Sequence, residues 1–333
     1  MKRKHLPLLF CFKCQVRLCI DPVQIREDDI LEGVLRCPTC HRQHPIEEGI
    51  PRFVPKDNYA SGFGFQWNKH ATTQLDQFSG KNISEVRFFK ETKWPRTLTG
   101  EVILEVGCGA GRFTEHALKT GATTVALDYS TAVDANSRSH GHHENLLIVQ
   151  ASVYEMPFKS KSFDRAFCFG VLQLTPEVRR SFDALVDVVK VGGHLAVDIY
   201  RKDPWTLLTP KYLLRPLTKQ LPHEMLYRAC ETYVRILWPV TRWVHKLPRG
   251  EKLNQLLFMI ADYSEELPLN EHQLREWAIL DTFDRLAPAH DHPQTVRTLK
   301  SWFQARGLQN IEVHKGYNGV EGRGVVRQFS HEQ

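Results

Sequence analysis

The chain has 333 residues and 42% hydrophobic content, which suits one large domain with additions and excludes a disordered or collagen-like chain. Its formal charge of +6 is mild and does not by itself indicate nucleic-acid binding. No stretch approaches the ~18 consecutive apolar residues of a membrane span, and the apolar run near the N-terminus is too short for a secretion signal. We therefore expect a cytoplasmic protein.

Two cysteine pairs come first, Cys11 with Cys14 and Cys37 with Cys40, and 22 residues lie between the pairs. A two-residue spacer lets both thiolates of a pair reach one ion, and two pairs complete a tetrahedral sulfur site. Because a cytosolic chain keeps its thiols reduced, the pattern favours Zn²⁺ over disulfides. Four thiolates leave no open position for a substrate, so we predict a structural role for the metal.

Residues 1–57 resemble a zinc ribbon, a resemblance carried by these pairs and by the following EGIPRF run at 48–53. Such ribbons accompany some methyltransferases, either as a separate activator or fused at the N-terminus. His41 and His44 are the alternative ligands to one cysteine of the second pair. The other cysteines are expected to be small core residues: Cys19, Cys108, Cys168 and Cys230.

Residues 58–98 are predicted to form a linker with cap helices. Their GFGFQW run at 62–67 resembles the segment that closes over the cofactor in some methyltransferases. Phe65, Gln66 and Trp67 are therefore candidate cap or substrate residues. The alternative is that the run only packs the ribbon against the main domain.

A glycine-rich loop follows a predicted buried strand, Val102–Val106, and precedes a predicted helix at 112–120. The third glycine comes one residue too soon for a dinucleotide fingerprint, and the Lys-Ser/Thr of a P-loop is absent. With Glu105 before the turn, the run EVGCGAGR resembles motif I of class I S-adenosylmethionine (SAM)-dependent methyltransferases. The resemblance implies SAM as cofactor and a Rossmann-like, seven-stranded α/β sheet.

The resemblance also implies a cofactor site. The glycine loop lets the backbone approach the methionine end, and Glu105 helps to hold the amino group. Asp128 ends a second predicted strand, 123–127, where a carboxylate accepts hydrogen bonds from ribose hydroxyls. Tyr129 is then placed to pack on the adenine. The candidate cofactor-binding residues are Glu105, Gly107, Cys108, Gly109, Gly111, Asp128, Tyr129, Ser152, Val153 and Gly170.

The remaining core strands are predicted at 145–150, 165–170 and 195–200. After the first of them, Ser152 and Val153 stand where the family usually has an aspartate that meets the adenine amino group. Gln173 and Tyr200 are candidate substrate residues at the ligand edge of the sheet. Many relatives have a histidine where this chain has Leu174, so we expect no histidine base at that position.

Residues 201–293 form an insertion too long for a loop, which predicts its own helices, including one at 224–247 with a kink at Pro239. Residues 201–250 contain ten lysines and arginines against three acidic residues. Three interpretations remain open: a helical lid with an aromatic core, a site for an anionic or lipid acceptor, and an RNA surface. The interspersed aromatic residues are Trp205, Tyr212, Tyr227, Tyr233, Trp238 and Trp243.

Asp284, His290 and His292, near the end of the insertion, are candidate acceptor contacts or general bases, although such residues more often form turns and caps. Residues 294–333 are predicted to complete the core with a helix at 295–306 and strands at 311–315 and 324–328. Residues 99–200 are predicted to form the SAM-binding, Rossmann-like core.

The sequence thus predicts a SAM-dependent methyltransferase acting on a small-molecule, saccharide or lipid-linked acceptor. One alternative is an rRNA or tRNA methyltransferase. Another is a SAM-binding partner module without activity, which Ser152 and Leu174 would favour.

Overall fold

The computed structural model describes residues 1–204, 206, 209–265 and 267–327. Its N-terminal part is a four-stranded antiparallel sheet in the order β1-β2-β3-β4. One cysteine pair precedes β1 and the other lies between β2 and β3, as in the expected ribbon. The strands are β1 (Cys19–Arg26), β2 (Asp29–Arg36), β3 (Gln43–Glu47) and β4 (Ile50–Pro51).

The main sheet has seven strands in the order β10-β11-β9-β8-β5-β6-β7. Strands β5 to β9 are all parallel to one another. Strand β11 runs antiparallel to both β9 and β10. This arrangement confirms the predicted Rossmann-like sheet. The strands are β5 (Val102–Val106), β6 (Thr123–Asp128), β7 (Leu146–Gln150), β8 (Phe163–Cys168), β9 (Val189–Ile199), β10 (Gln309–Gly316) and β11 (Gly319–Val325).

Helices fall into three groups along the chain. The cap segment contains α1 (Ser61–Lys69), α2 (Asp76–Ser79) and α3 (Ile83–Thr92). The sheet is accompanied by α4 (Thr114–Lys119), α5 (Ala132–His140), α6 (Val178–Val188) and α11 (Val296–Ala305). The insertion contains α7 (Pro210–Thr218), α8 (His223–His245), α9 (Gly250–Leu253), a π-helical turn at Asn254–Phe258 and α10 (Glu271–Leu286).

The insertion is helical, as predicted, and α8 and α10 pack on each other around a core of their own. Leu226, Tyr227 and Trp238 of α8 are buried there with Phe283 of α10. Trp205, one of the aromatic residues noted in the sequence, lies outside the described residues.

Three strand positions differ clearly from the sequence prediction. The strand predicted at 195–200 is observed as β9 at Val189–Ile199, so it begins six residues earlier than expected. The strand predicted at 165–170 begins two residues earlier, and the one predicted at 324–328 is observed at Gly319–Val325, with Gln328 outside the described residues. The sequence prediction missed the start of β11 because its several glycines are typical of a turn. They are needed because a Cβ at Gly322 would lie 2.8 Å from the Phe303 ring of α11.

The ribbon is attached to the main sheet through Arg52, which is buried directly after β4. Arg52 Nη1 donates to Gln150 Oε1 of β7 at 2.9 Å, and Nη2 donates to Asp134 Oδ1 of α5 at 2.7 Å. The next residue, Phe53, donates its backbone N–H to the Gln150 carbonyl at 2.8 Å. The ribbon therefore covers the β7 edge of the main sheet.

Candidate active site

A cavity of about 1060 Å³ lies at the carboxyl ends of β5, β6 and β8. Open α/β sheets bind their ligands at this edge. Residues of α1 and α3 contribute to its walls, and so do residues of α7 and α10. The cavity is thus enclosed by the cap on one side and by the insertion on another.

The glycine loop after β5 forms the floor of the cavity through Gly107, Cys108 and Gly109. Gly107 has a φ of +79°, and a Cβ there would lie 2.3 Å from Val171 Cγ2, so only glycine fits. Gly111 does not line the cavity: a Cβ there would meet Asn136 and His140 of α5. The first two glycines shape the cavity, and the third allows close helix packing.

Helix α1 lies over this loop. A Cβ at Gly109 would be 3.4 Å from Trp67 Nε1, so the indole is in contact with the loop. Gln66 also lines the cavity, and its Oε1 is buried with no hydrogen-bond partner among the described residues. Phe65 points elsewhere and packs against Tyr227 and Phe283 of the insertion.

Asp128, at the end of β6, lines the cavity and already holds the surrounding loops in place. Its Oδ2 accepts the Gly109 N–H at 2.9 Å, and its Oδ1 accepts the N–H and the hydroxyl of Ser130 at 2.8 and 2.7 Å. Burial raises the pKa of this carboxyl, although these donors oppose the shift. Tyr129 lines the same wall and stacks on Tyr59, with ring centroids 4.7 Å apart.

Glu105 and Ser152 do not line the cavity. The Glu105 carboxylate is buried and accepts the Thr114 hydroxyl at 2.6 Å, and burial raises its pKa to about 8. The Ser152 hydroxyl accepts the Tyr154 N–H at 3.2 Å as a local cap. Val153, the neighbouring candidate, does line the cavity.

Gly170 and Tyr200 line the cavity, whereas Gln173 supports them from behind. Gln173 Nε2 donates to the Gly170 carbonyl at 2.7 Å, and its Oε1 accepts the Tyr200 N–H at 3.4 Å. Asp198 accepts the Gly170 N–H and is also paired with Arg87 of α3. This network fixes the backbone around the candidate substrate residues.

Helix α10 brings two carboxylates to the cavity, Asp281 and Asp284. Residues three apart on a helix share a face. Tyr263 donates its hydroxyl to Asp281 Oδ2 at 2.6 Å, while Asp284 Oδ1 accepts a long hydrogen bond from Gln66. Burial, with a further contribution from Asp281, raises the pKa of Asp284 to about 6.

The two candidate histidines lie outside the cavity lining. The His290 ring makes an edge contact with Tyr59, with centroids 5.3 Å apart, and therefore sits behind the tyrosine pair. His292 donates its backbone N–H to the Gln173 carbonyl and lines a separate shallow depression. Of the three proposed catalytic candidates, only Asp284 faces the cavity.

The sequence did not single out Arg112, which follows the glycine loop and lines the cavity. Its guanidinium donates to Ser84 Oγ at 3.0 Å and Gln74 Oε1 at 3.1 Å, both neutral groups. Among the described residues it makes no ion pair with a carboxylate. Burial, followed by the charge of Arg87, lowers its pKa to about 10. Its position directly after the third glycine of the loop is the sequence feature that could have identified it as a candidate site residue.

A second basic group lines the insertion side, Lys211 and Arg215 of α7. Unlike Arg112, both form an ion pair with a carboxylate, because Asp291 Oδ2 lies 3.0 Å from Lys211 Nζ and 2.6 Å from Arg215 Nη1. Asp291 follows α10, so this contact joins the two ends of the insertion. No sequence spacing predicts a pairing across 76 residues.

The four cysteines of the ribbon form one cluster, with all Sγ atoms within 4.8 Å of one another. Cys11 Sγ and Cys40 Sγ are 3.7 Å apart, close to the ~3.8 Å expected for two sulfurs bound tetrahedrally at ~2.3 Å from one ion. The Cys40 N–H donates to Cys37 Sγ at 3.4 Å. His41 and His44 do not belong to the cluster. The arrangement is suited to a metal ion.

The strand order and the glycine loop at the ligand edge together define a class I methyltransferase domain. Residues 104–197 match the family model described as Methyltransferase domain. This segment of the chain is therefore a domain of that kind.

Curated relatives match the same part of the chain. Ubiquinone biosynthesis O-methyltransferase of Acinetobacter baumannii (strain AYE) is 28% identical over 130 residues, which are 37% of this chain and 55% of the relative. Its counterpart in Alkalilimnicola ehrlichii is 30% identical over 129 residues, 37% of this chain and 52% of that protein. The chain thus spans about half the length of the curated relatives it matches.

Among solved structures, the apo form of the S-adenosylmethionine-dependent methyltransferase SibL resembles this chain with a TM-score of 0.43 and 13% identity. The similarity covers 74% of this chain and 55% of that one. Among the described residues, no helix is long and apolar enough to cross a membrane.

Proposed function

We propose that this protein is a SAM-dependent methyltransferase that methylates a hydroxyl group of a small-molecule acceptor. The observation that carries the proposal is that one cavity contains both the Gly107–Gly109 loop with Asp128 and, on its insertion side, the Asp284 carboxylate. The cofactor residues and a candidate base thus face the same space. The relatives named for O-methyl transfer in ubiquinone biosynthesis support a hydroxyl acceptor.

The residues present fit the cofactor. The glycine loop exposes its backbone to the cavity, where a Cβ would otherwise take up space. Asp128 supplies a carboxylate suited to ribose hydroxyls. Arg112 supplies a cation that has no carboxylate partner within the described ranges of the chain, which suits the carboxylate of the methionine moiety. Val153 and Tyr129 would then border the adenine.

Bound SAM would supply a methyl group already activated on a sulfonium. The cavity walls would orient the acceptor oxygen toward that methyl, which is the main contribution such an enzyme makes. Asp284, with its pKa raised to about 6, would accept the proton of the acceptor hydroxyl near neutral pH. Trp67 and the rest of α1 would exclude water from the glycine loop.

The metal of the ribbon is proposed to be Zn²⁺. The sulfur–sulfur separation fits a closed tetrahedral site, and four thiolates leave no position for a substrate. The ribbon would therefore act on stability and not on the transfer reaction.

Calorimetry with S-adenosylhomocysteine tests the cofactor assignment. The native protein should bind it, and Asp128→Asn should weaken binding on the order of 10–100-fold because charge-assisted hydrogen bonds are lost. Asp203→Asn, at a half-buried site of the insertion outside the cavity lining, is the matched control and should bind normally. No binding by the native protein would exclude the proposal.

Turnover of radiolabelled SAM with a cell extract then distinguishes an enzyme from a binding module. Label in a small-molecule fraction supports the proposal. Label released by ribonuclease would instead establish the RNA methyltransferase alternative, and binding without any transfer would establish the non-catalytic one.

A further inference from the structure

The outer surface of the insertion exposes large apolar side chains on two helices. On α7, Leu213 and Leu217 are 63% and 71% exposed. On α8, Ile236 and Trp243 are 69% and 64% exposed, and Val240 lies between them. Their spacing of three or four residues places them along one face of α8, away from the face that packs on α10.

A third apolar segment connects this surface with the cavity. Leu253, Leu256 and Leu257 are exposed on α9 and the π-helical turn that follows it. Leu256 is 55% exposed and also lines the cavity, so it lies at the rim. Helix α7 begins at Pro210 on the cavity wall and continues outward to its exposed leucines. The apolar surface therefore extends to the cavity opening.

Exposed cations flank these side chains. Lys219 follows α7, while Lys246 and Arg249 follow α8. In the part of the chain that the structure describes, none of these three cations makes an ion pair with a carboxylate. By contrast, Arg228 and Arg235 on α8 are neutralised by glutamates one turn earlier. The unpaired cations thus follow directly, along the chain, the two helices that carry the exposed leucines and Trp243.

We propose that this face, defined by the exposed apolar residues of α7, α8 and 250–258 with their flanking cations, docks on an anionic lipid bilayer. Leucines and a tryptophan would enter the boundary between headgroups and acyl chains, while Lys219, Lys246 and Arg249 would meet lipid phosphates. The cavity rim at Leu256 would then face the bilayer surface. An acceptor with an apolar tail could enter from the lipid without crossing water.

The same observations disfavour the other occupants. RNA recognition uses several exposed aromatic rings for base stacking. Of the insertion's aromatic residues noted in the sequence, Trp243 alone is exposed in the described part of the chain, whereas Tyr227 and Trp238 are buried in the insertion core. A second copy of the chain would bring two identical unpaired basic surfaces together, which costs electrostatic energy. An anionic bilayer satisfies both the apolar residues and the charge. The inference concerns binding alone and does not depend on the proposed methyl transfer.

Flotation of the full-length protein with vesicles tests the inference. The native protein should float with vesicles of phosphatidylcholine and phosphatidylglycerol and much less with phosphatidylcholine alone. Leu213→Ser with Leu217→Ser should lower the partition coefficient on the order of tenfold per leucine. Lys246→Ala and Arg249→Ala should each lower it on the order of fivefold, and only for the anionic vesicles.

Matched controls lie elsewhere on the surface: Val86→Ser on α3 removes an exposed apolar side chain, and Lys300→Ala on α11 removes an exposed cation. Both should float like the native protein. All variants alter exposed residues, so their melting temperatures should remain close to the native value. A native protein that stays in solution with anionic vesicles overturns the proposal, as does undiminished flotation of the leucine variant. Loss of a dimer in sedimentation when the leucines are replaced, or retention of an RNA oligonucleotide with no flotation, also contradicts it.

Discussion

Gln66 Nε2 donates a hydrogen bond to Asp284 Oδ1 at 3.4 Å, although the two residues are 218 positions apart. Gln66 belongs to the cap helix α1 and Asp284 to α10 of the insertion, so this contact joins the two covers of the cavity. The Gln66 amide leaves its oxygen without a partner among the described residues. The pair therefore combines a candidate base with a polar group that is still available to a ligand.

Asp284→Asn should abolish most of the methylation of a hydroxyl acceptor. With catechol as the probe, we expect kcat to fall on the order of 10²–10⁴-fold because general-base catalysis is lost. In the native enzyme, kcat should fall as the pH decreases through about 6, where Asp284 becomes protonated. Initial rates measured across the pH range check both expectations.

Asp281→Asn provides the comparison for that experiment. Asp281 raises the pKa of Asp284, so its neutralisation should move the inflection of kcat to lower pH while the reaction persists. An inflection that does not move, or an Asp284→Asn variant with native kcat, would contradict the assignment.

The raised pKa of Asp284 should also make the free energy of unfolding depend on pH. Its folded pKa of about 6 exceeds the ordinary aspartate pKa of 3.8, so burying the charged form destabilises the protein increasingly as the pH rises through this interval. Asp284→Asn should therefore increase the free energy of unfolding at pH 8 by up to about 3 kcal/mol. The gain should disappear near pH 4, where the native carboxyl is protonated in the folded protein. Chemical denaturation at the two pH values measures the difference.

Arg112→Gln should weaken S-adenosylhomocysteine binding selectively. If the guanidinium meets the carboxylate of the amino-acid moiety, its loss costs about 1.5–3 kcal/mol, or on the order of 10–100-fold in Kd. Methylthioadenosine lacks that carboxylate and serves as the control ligand, so its affinity should change little. Equal weakening for both ligands in calorimetry would indicate a general structural defect instead.

Cys37→Ser should remove the metal from the ribbon. We expect about one zinc per chain in the native protein by elemental analysis and nearly none in the variant, with a lower melting temperature. Cys19→Ser is the matched control because Cys19, which the sequence analysis wrongly expected in the core, is exposed on β1 and outside the cluster. A native protein purified under reducing conditions without any metal would refute the prediction.

Arg52→Met should loosen the ribbon from the main sheet. It removes the hydrogen bonds to Gln150 and Asp134 and leaves both partners poorly satisfied, at a cost on the order of 2 kcal/mol. Lys56→Met removes a surface pair with Glu47 and should cost less than about 1 kcal/mol. Denaturant unfolding measures stability, and faster limited proteolysis near residue 55 in the Arg52 variant alone would show the detachment.

Local patterns in the sequence were sufficient to predict the sheet, the ribbon and the helical insertion. The Val102–Gly111 run has a strand, a tight turn and a helix start in immediate succession, so neighbouring residues were enough to identify it. The predicted position of β11 was wrong because its glycines are required by close packing against the Phe303 ring of α11. That contact is between residues distant enough that the local sequence pattern does not indicate it.

The cavity was less predictable for the same reason. Asp128 and Gly107 could be identified from their positions at strand ends. Glu105 matches the motif, but it is directed to Thr114 below the loop and away from the cavity lining. Arg112 and the Lys211–Asp291 pair acquire their significance from residues far away in the chain, which only the folded structure brings together.

If the proposed Zn²⁺ holds the ribbon together, the position of the ribbon on β7 has a consequence for a chain without that ion. β7 is the outermost strand on its side of the main sheet, and its Gln150 carbonyl is occupied by the Phe53 N–H. A ribbon that unfolds in a zinc-starved cell would uncover this strand, and bare strand edges recruit other chains into aggregates. Metal scarcity would then reduce the amount of soluble enzyme before it altered the chemistry of the cavity.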